Sequence, residues 1–505
     1  MATTFEVGAR GLRRGQPGEP CVMVIFGAAG DLARGDLLPS LYELHRKGLL
    51  PERFAVIGLS RSPWDSSRYR DEMRRAVCES CGGAVEWDDF ASRLEFVCGD
   101  ATSPDAYRAL DAAIRDARSR FDIPDHVFFH LAVPPSLFAP IVQGLGASGL
   151  SRPESGWRRL VVEKPFGRDR ASARDLDRQL REVFAEDQIY RIDHFLGKET
   201  VQNMLVFRFA NASFEPVWNR NYIDHVQITV AEEIGIGTRA NFYEQTGIVR
   251  DMVQNHVLQL LCLTAIEPPV RFDAASLRNE TAKVLDAIVP PPLDEGPVPV
   301  RGQYGEGVVD GAKVAGYREE DGVPPESVTP TYAAMRLTID NWRWADVPFY
   351  LRSGKRMPRK LTEVAIQFKP TPHAMFQRHG RSRHRSVLVF QLQPDEGIVQ
   401  DVAAKQPGPD LEVQPVRMTF RYAEAFGVDE PPRAYAWLLL DVMQGDQTLF
   451  ARADWIDKAW QIVDPVVERW ESEPPARFPN YAAGTAGPSE ATELLAREGR
   501  RWRTL

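Results

Sequence analysis

Short, almost wholly apolar runs alternate with helical patterns in the first third of the chain. The runs are CVMVIFG, FAVIGLS, LEFVCGD, HVFFHLAV and RRLVVEKP, and segments with apolar residues at helical spacing, such as DLLPSLYELHRKGLL, lie between several of them. Buried strands that alternate with helices are typical of a parallel sheet covered on both faces. Residues 21–190 are therefore predicted to form a Rossmann-like α/β domain.

Beyond residue 190 the strand patterns follow one another more directly. The strand-like stretches are HVQITVAEE, YAAMRLTIDNW, PFYLRSG, EVAIQFK, SVLVFQLQP and VQPVRMTFRY. They predict an α+β domain over residues 191–505, with a large, mostly antiparallel sheet. Helical stretches such as GIVRDMVQNHVLQLLCLTAI and PRAYAWLLLDVMQGD are expected to cover one face of that sheet.

Composition excludes several classes of partner. The chain has 505 residues, with 62 basic and 70 acidic side chains and a formal charge of −8, which argues against non-specific nucleic-acid binding. The basic run RHGRSRHR at 378–385 is short and is interpreted as a solvated loop. Residues 1–20 have no apolar core and are expected to be a flexible lead-in rather than a secretory signal.

Membrane insertion and metal binding are not expected either. The longest apolar candidate, VFFHLAVPPSLFAPIV, contains three prolines and is too short to span a bilayer. Five sparse cysteines suit a reducing cytoplasm. Cys78 and Cys81 form a lone CxxC pair, which supplies only half of a typical structural zinc site, so no metal is predicted.

A glycine turn between the first strand and its helix predicts a dinucleotide site. In VIFGAAGDLARG, Gly27 and Gly30 would let backbone N–H groups approach a pyrophosphate at the positive end of the helix. The match to GxGxxG is incomplete, and a purely structural turn is the alternative. After the second strand, Arg61 stands where an NAD enzyme usually has an acid. A guanidinium there suits the 2′-phosphate of NADP, and a solvated loop arginine is an equally weighted alternative.

A charged stretch marks the predicted domain junction. RIDHFLGKE, at residues 191–199, lies between two largely apolar stretches, and small-molecule sites are common at such junctions. His194 and Lys198 are four residues apart and would share a face if this segment were helical. Both can donate to a phosphate. The alternative is a surface ion pair between Asp193 and Lys198, which would contribute little energy.

Five motifs in order carry a resemblance to a known family. They are GAAGDLA, VVEKPFGRD, RIDHFLGKE, VAEEIGIGTRANFYEQTGIVRDMVQNH and VPFYLRSGKRMPRK. This combination, from about residue 21 to the C-terminus, resembles the glucose-6-phosphate dehydrogenases. The resemblance implies oxidation of glucose 6-phosphate at C1 to 6-phosphogluconolactone with hydride transfer to NADP, the first step of the oxidative pentose phosphate pathway.

The resemblance also assigns residue roles. His256 is implied to be the general base and Asp193 the carboxylate that orients it, an arrangement that suits proton removal near neutral pH. Without the resemblance, a histidine in MVQNHVLQLL would be interpreted as a core residue. The implied substrate residues are Lys164, His194, Lys198, Glu232, Asp251, Lys355 and Lys360. The implied cofactor residues are Gly27, Ala28, Ala29, Gly30, Asp31, Leu32, Arg34, Arg61 and Lys164.

Two positions depart from the family pattern. Phe195 stands where many members have tyrosine, so one hydroxyl donor to the phosphate is missing. Arg34 is followed by Gly35 and Asp36, where members usually carry two or three consecutive basic residues. The local positive field is therefore weaker, and NAD is kept as an alternative cofactor.

The leading hypothesis is a cytoplasmic oxidoreductase that forms a homodimer or homotetramer through its large sheet. A second hypothesis, a catalytically silent binding protein on the same fold, would be favoured by loss of Lys164, Asp193 or His256, and all three are present. A third, a dehydrogenase for an unphosphorylated sugar, disagrees with four cations: His194, Lys198, Lys355 and Lys360.

Overall fold

The computed structural model describes residues 15–83, 85–373, 375–376, 385–427, 432–473, 475 and 477–505. They form two compact units. The first contains the described residues up to Glu199 with Pro269–Glu280 and Pro432–Asp457, and the second contains Thr200–Pro268, Thr281–Pro431 and Lys458–Leu505. Most of the predicted lead-in and most of RHGRSRHR lie outside the described residues. The functional boundary predicted at residue 190 remains a prediction.

The strands of the first unit form one parallel sheet. They are β1 (Cys21–Phe26), β2 (Phe54–Ser60), β3 (Leu94–Cys98), β4 (His126–Leu131), β5 (Trp157–Val162) and β6 (Ile189–Arg191). Their order is β3-β2-β1-β4-β5-β6, and all neighbours pair parallel. This is the Rossmann strand order, with its switch point between β1 and β4. Every residue of β1 is buried, as its unbroken apolar sequence predicts.

The second unit is built on a mixed, mostly antiparallel sheet, which confirms the predicted fold class. The remaining strands are β7 (Ile223–Ala231), β8 (Ile288–Val289), β9 (Val300–Gly302), β10 (Tyr304–Gly305), β11 (Gly307–Val309), β12 (Ala312–Val314), β13 (Tyr332–Ile339), β14 (Phe349–Gly354), β15 (Leu361–Phe368), β16 (Val387–Gln393), β17 (Gly397–Lys405), β18 (Val413–Arg421) and β19 (Tyr481–Ala482). The main order is β18-β17-β16-β15-β7-β14-β13-β8, with β9 beside β13. Only the β7–β14 pair in this sheet is parallel among the described strands. Two small ribbons pair β10 with β19 and β11 with β12.

The helices follow the apolar periodicity of the sequence. They are α1 (Leu38–Arg46), α2 (Ser66–Cys81), α3 (Asp88–Ala91), α4 (Pro104–Phe121), α5 (Phe138–Ala147), α6 (Arg170–Arg181), α7 (Glu199–Phe209), α8 (Ala240–Ile248), α9 (Leu258–Ala265), α10 (Ala274–Ala287), α11 (Tyr422–Phe426), α12 (Ala434–Gln444), α13 (Ala453–Ser472) and α14 (Ser489–Ala496). Local chemistry sets several of the ends. Asp65 caps α2 through the Arg68 N–H at 2.8 Å, and Asp169 forms a capping box with Ser172 at the start of α6.

Two helical segments are wound more widely than an α-helix. Ala33–Leu37 follows the glycine turn, and Val249–Val257 connects α8 to α9. Both have π-helical hydrogen bonding. Such widening is frequent at functional sites, and the second segment packs on β7 and β14.

The helix α12 corrects one expectation. It belongs to the first unit rather than to the unit built on the large sheet, and it packs against α1. Its sequence is mainly apolar, so periodicity alone could not choose between the two sheets. Polar contacts decide it: Arg159 donates to the carbonyls of Val442 and Met443 at 2.6 and 2.9 Å. Across the part of the chain that the structure describes, no helix is long and apolar enough to cross a membrane.

Candidate active site

The glycine turn is built as the sequence predicts. Gly27 has φ +84°, and a Cβ there would lie 2.1 Å from the carbonyl oxygen of Ala132, so no other residue fits without displacing backbone. Its N–H donates to Leu59 at 2.8 Å, and the Gly30 N–H donates to Gly27 at 2.9 Å. The turn therefore lies at the β1–β4 switch point, with the exposed Gly30 just before the helix starts at Asp31.

Charges near the turn are already partly compensated. Arg34 donates to Glu72 at 3.1 Å, a pairing that its sequence position did not suggest. Burial raises the pKa of Asp36, with the Arg433 charge opposing this shift and Glu163 adding to it. Arg61 is exposed at the end of β2. It adds a small lowering to the pKa of Asp100, which is set mainly by hydrogen bonds from Thr102.

The end of β5 carries a buried polar network. Glu163 lies 3.0 Å from Nε2 of His130 and accepts the Tyr435 hydroxyl at 3.0 Å. Burial, then the Glu163 charge, raises the pKa of Tyr435. Lys164 follows Glu163 and forms a cis peptide with Pro165. The motif VVEKPFGRD indicated Glu163 and Lys164, whereas His130 and Tyr435 come from distant segments and carried no sequence signal.

The stretch around Asp193 is a run of tight turns rather than a helix. Successive backbone bonds join Leu196 to Asp193, Gly197 to His194 and Lys198 to Phe195 at 3.0 to 3.2 Å. These turns, which include Gly197, come before helix α7, and the helix itself begins at Glu199. The helical condition for His194 and Lys198 to share a face is therefore not met.

Asp193 is a buried acid surrounded by cations. It is 3% exposed, which excludes the surface ion pair considered as the alternative. Burial raises its pKa, and the charges of His194, Lys164 and Lys198 and the N–H of Phe195 act in the opposite direction. The structure thus brings together, in one unit, three of the predicted substrate cations around the predicted orienting carboxylate.

His194 and Lys198 also lie against aromatic rings. The His194 ring is nearly parallel to that of Tyr435, with centroids 6.4 Å apart, and the Lys198 ammonium lies 3.7 Å from the centroid of Phe195. Phe195, which stands where many family members have tyrosine, therefore makes a cation–π contact with Lys198. It lacks the hydroxyl donor that a tyrosine would provide.

The second unit holds a separate cluster. Lys355, 1% exposed, donates to Glu232 at 2.6 Å, lies 3.6 Å from Asp251 and faces the ring of Tyr243 at 4.9 Å. A buried ammonium needs such partners. Lys360 is exposed before β15. The cluster combines hydrogen-bond acceptors and a cation, as a polar, anionic ligand requires.

His256 lies on the same π-helical segment as Asp251. It is 1% exposed, and its backbone N–H donates to Oδ1 of Asn255 at 2.6 Å. Hydrogen bonds of a π-helix join residues five apart, so Asp251 and His256 lie roughly one turn from each other along the segment. His256 belongs to the second unit and Asp193 to the first, so their pairing remains a prediction.

Comparison with known proteins identifies the family. The family model "Glucose-6-phosphate dehydrogenase, NAD binding domain" matches residues 24–203, and "Glucose-6-phosphate dehydrogenase, C-terminal domain" matches residues 205–503. The chain belongs to the glucose-6-phosphate dehydrogenase family. The predicted resemblance is thereby confirmed, together with the expectation of an oxidoreductase with a nicotinamide-binding domain.

Individual relatives agree over nearly the whole chain. The glucose-6-phosphate 1-dehydrogenase of Chlamydia pneumoniae is 43% identical and covers 100% of both chains, and that of Aggregatibacter actinomycetemcomitans is 45% identical over 96% of this chain and 97% of its own. A solved glucose-6-phosphate dehydrogenase in complex with glucose-6-phosphate has a TM-score of 0.88 and 34% identity, covering 97% of this chain and 99% of that one.

Proposed function

We propose that the chain oxidises glucose 6-phosphate at C1 to 6-phosphogluconolactone and transfers the hydride to NADP. The observation that carries the proposal is the end-to-end similarity to a solved family member in complex with that substrate. The two clusters of titratable side chains provide residues of the chemistry required. In this assignment residues 21–190 bind the cofactor, and residues 191–505 bind the substrate and form the oligomer.

The oxidation at C1 needs a proton acceptor, and we assign this role to His256 of the second unit. His256 takes the proton of the C1 hydroxyl while the C1–H bond breaks with its electron pair and the C1=O bond forms. The nicotinamide ring supplies the hydride acceptor when the cofactor is bound. Asp193 stabilises the imidazolium as it forms, by the same logic as the carboxylate of a catalytic triad.

Substrate recognition divides between phosphate and sugar. His194 and Lys198 provide donors for the phosphate, with Lys355 and Lys360 as further cations, and such charge-assisted bonds are stronger than neutral ones. Glu232 and Asp251 accept hydroxyl groups of the sugar. Lys164, after the buried Glu163, is assigned contacts with both substrate and cofactor.

The glycine turn fits a dinucleotide. Three of its N–H groups, those of Gly27, Ala28 and Gly30, bond within the protein, so anion binding falls to the first residues of the helix, Asp31 and Leu32. The exposed Gly30 leaves that helix start open. Ala29 lines the turn. Arg61 is the residue we assign to pair with a 2′-phosphate, whereas Arg34 already pairs with Glu72.

The large sheet supports a homodimer or homotetramer. Its edge strand β18 has an exposed face on which Val416 and Met418 are 45% and 59% exposed. Apolar side chains on a long edge strand are costly in water and favour association. Sedimentation or scattering measurements at several concentrations would give the oligomeric state.

A steady-state assay tests the function directly. Glucose 6-phosphate and glucose are each assayed with NADP and with NAD, and NADPH formation is followed by absorbance. We expect kcat/KM to be highest for glucose 6-phosphate with NADP. Equal kcat/KM for glucose and glucose 6-phosphate would contradict the role of the phosphate-binding cations. Absence of turnover with either sugar would overturn the proposed reaction.

A further inference from the structure

A short C-terminal segment holds the backbone that carries Lys355. We call residues 481–484 the clamp segment, which begins with β19. The Tyr481 hydroxyl donates to the Lys355 carbonyl at 2.8 Å, and the Gly484 N–H donates to the Arg356 carbonyl at 2.7 Å. Two successive carbonyl groups are therefore fixed by residues more than a hundred positions away in the sequence.

The fixed peptides have an unfavourable backbone conformation. Arg356 has φ +51°, in the left-handed region that side chains with a Cβ seldom adopt. Such a conformation persists only where the surroundings over-determine it, and residues of this kind concentrate at functional sites. The clamp segment supplies that constraint directly after Lys355.

The Tyr481 hydroxyl is part of a closed hydrogen-bond chain. The Tyr304 N–H donates to the Thr331 hydroxyl at 3.1 Å, which lies 3.0 Å from the Tyr481 hydroxyl. Because Tyr481 donates to Lys355, Thr331 must donate to Tyr481. The Lys355 N–H returns to the Thr331 carbonyl at 3.0 Å. Every hydroxyl in this buried chain has a donor and an acceptor role, which gives it one geometry.

We propose that Tyr481 is a positioning residue for substrate binding, which places the Lys355 ammonium between Glu232 and Asp251. The proposal rests on the assignment of this cluster to the sugar phosphate. The side chain of Lys355 is long and flexible, so its position depends on where its backbone starts. Hydrogen bonds to both the carbonyl and the N–H of Lys355 fix the position of its backbone. The ammonium group then contacts Glu232, Asp251 and the Tyr243 ring.

The neighbouring tyrosines provide a matched control. Tyr332 is buried in the same cluster, with its ring centroid 5.6 Å from that of Tyr481. Its hydroxyl has no hydrogen-bond partner among the described residues. Tyr481→Phe and Tyr332→Phe therefore remove the same atom from the same layer, but only the first removes a bond to Lys355.

The experiment measures KM for glucose 6-phosphate, KM for NADP and kcat in both variants. We expect Tyr481→Phe to raise KM for glucose 6-phosphate about three- to tenfold, as for the loss of one net hydrogen bond, with KM for NADP within about twofold. Tyr332→Phe should match the wild type. Thr331→Val, which removes the donor to Tyr481, should act in the same direction as Tyr481→Phe and covers the case in which that variant does not fold.

A rescue variant separates positioning from general packing. Glycine adopts a left-handed conformation freely, so adding Arg356→Gly to Tyr481→Phe should recover part of the lost affinity for glucose 6-phosphate. The inference is overturned if Tyr481→Phe behaves as Tyr332→Phe does, or if both KM values rise together. A wild type that does not turn over glucose 6-phosphate would instead reject the proposed function.

Discussion

Burial of the Asp193 side chain destabilises its ionised form. Its pKa is raised from 3.8 despite three neighbouring cations. Between 3.8 and the raised value, the folded chain holds a proton that the unfolded chain has lost. The free energy of unfolding therefore falls as pH rises through that window. A carboxylate whose charge is opposed by burial does not stabilise the fold above that window, which agrees with the catalytic role proposed for Asp193.

The first prediction follows for Asp193→Asn. At alkaline pH we expect kcat to fall by about 10²–10⁴, because under the proposed mechanism the imidazolium of His256 would lose its stabilising charge. The thermal unfolding midpoint should equal or exceed that of the wild type, with the gain shrinking as pH falls. Steady-state rates and unfolding curves at pH 5 and pH 8 check both. A variant less stable than the wild type at pH 8 would show that the carboxylate stabilises the fold.

Arg61 gives the second prediction. An exposed guanidinium that pairs with a 2′-phosphate contributes roughly 1–3 kcal/mol, or about five- to a hundredfold in affinity. Arg61→Ala should raise KM for NADP by such a factor and leave KM for NAD almost unchanged. Arg34→Ala is the matched comparison, because Glu72 already shares that charge. An unchanged NADP/NAD ratio of kcat/KM would make Arg61 an ordinary surface residue.

At the level of elements, the Asp457 carboxylate near the start of α13 connects that helix to α6. Asp457 accepts from Arg170 at 2.9 Å and also from Arg174. The hydrogen bonds from both guanidinium groups hold the pKa of Asp457 well below its usual range. The capping box of Asp169 begins α6 just before these arginines, so the start of the helix is fixed on two sides.

The third prediction concerns this connection. Asp457→Asn should lower the free energy of unfolding by about 1–3 kcal/mol near pH 7, since bonds to a charged group are lost. Because the folded pKa is depressed, this stability is fully present above 3.8 and is lost as pH falls toward the folded value. Asp454→Asn, which breaks the local pair with Arg452, should have a smaller effect. Denaturant titrations at pH 7 and pH 3 would measure both variants.

At the scale of the whole molecule, the pattern of apolar residues predicted the fold more completely than it predicted the contacts within the candidate site. The apolar runs predicted the parallel sheet because a strand buried on both faces has no polar side, as in β1. Side-chain partners that are far apart in the sequence could not be predicted from such a pattern. Glu163 meets Tyr435 across 272 positions, and the sequence pattern assigned helix α12 to the wrong unit for the same reason. The roles of Asp193 and His256 came from resemblance alone and still await a direct test.

The fourth prediction uses one buried thiol in each unit. Cys21 and Cys262 are fully buried, and burial raises the pKa of both thiols, whereas Cys78, Cys81 and Cys98 are partly or fully exposed. A thiol reagent should label up to three cysteines in the native protein and all five in denaturant. In partial denaturant, labelling of Cys21 reports opening of the first unit and labelling of Cys262 that of the second. Rapid labelling of either in the native state would contradict this burial.

The wide winding of Val249–Val257 has a consequence for anyone who aligns or redesigns this segment. On a standard helical wheel, at about 100° per residue, Asp251 and His256 would point about 140° apart. Substituting strong α-helix formers such as alanine at positions that look exposed on such a wheel would therefore draw the segment toward the narrower winding and change the relative direction of these two side chains. Eight of the nine residues of this segment are buried, so substitutions should be poorly tolerated along its whole length, and a wheel drawn at 3.6 residues per turn would wrongly assign some of these positions to a solvent-facing side.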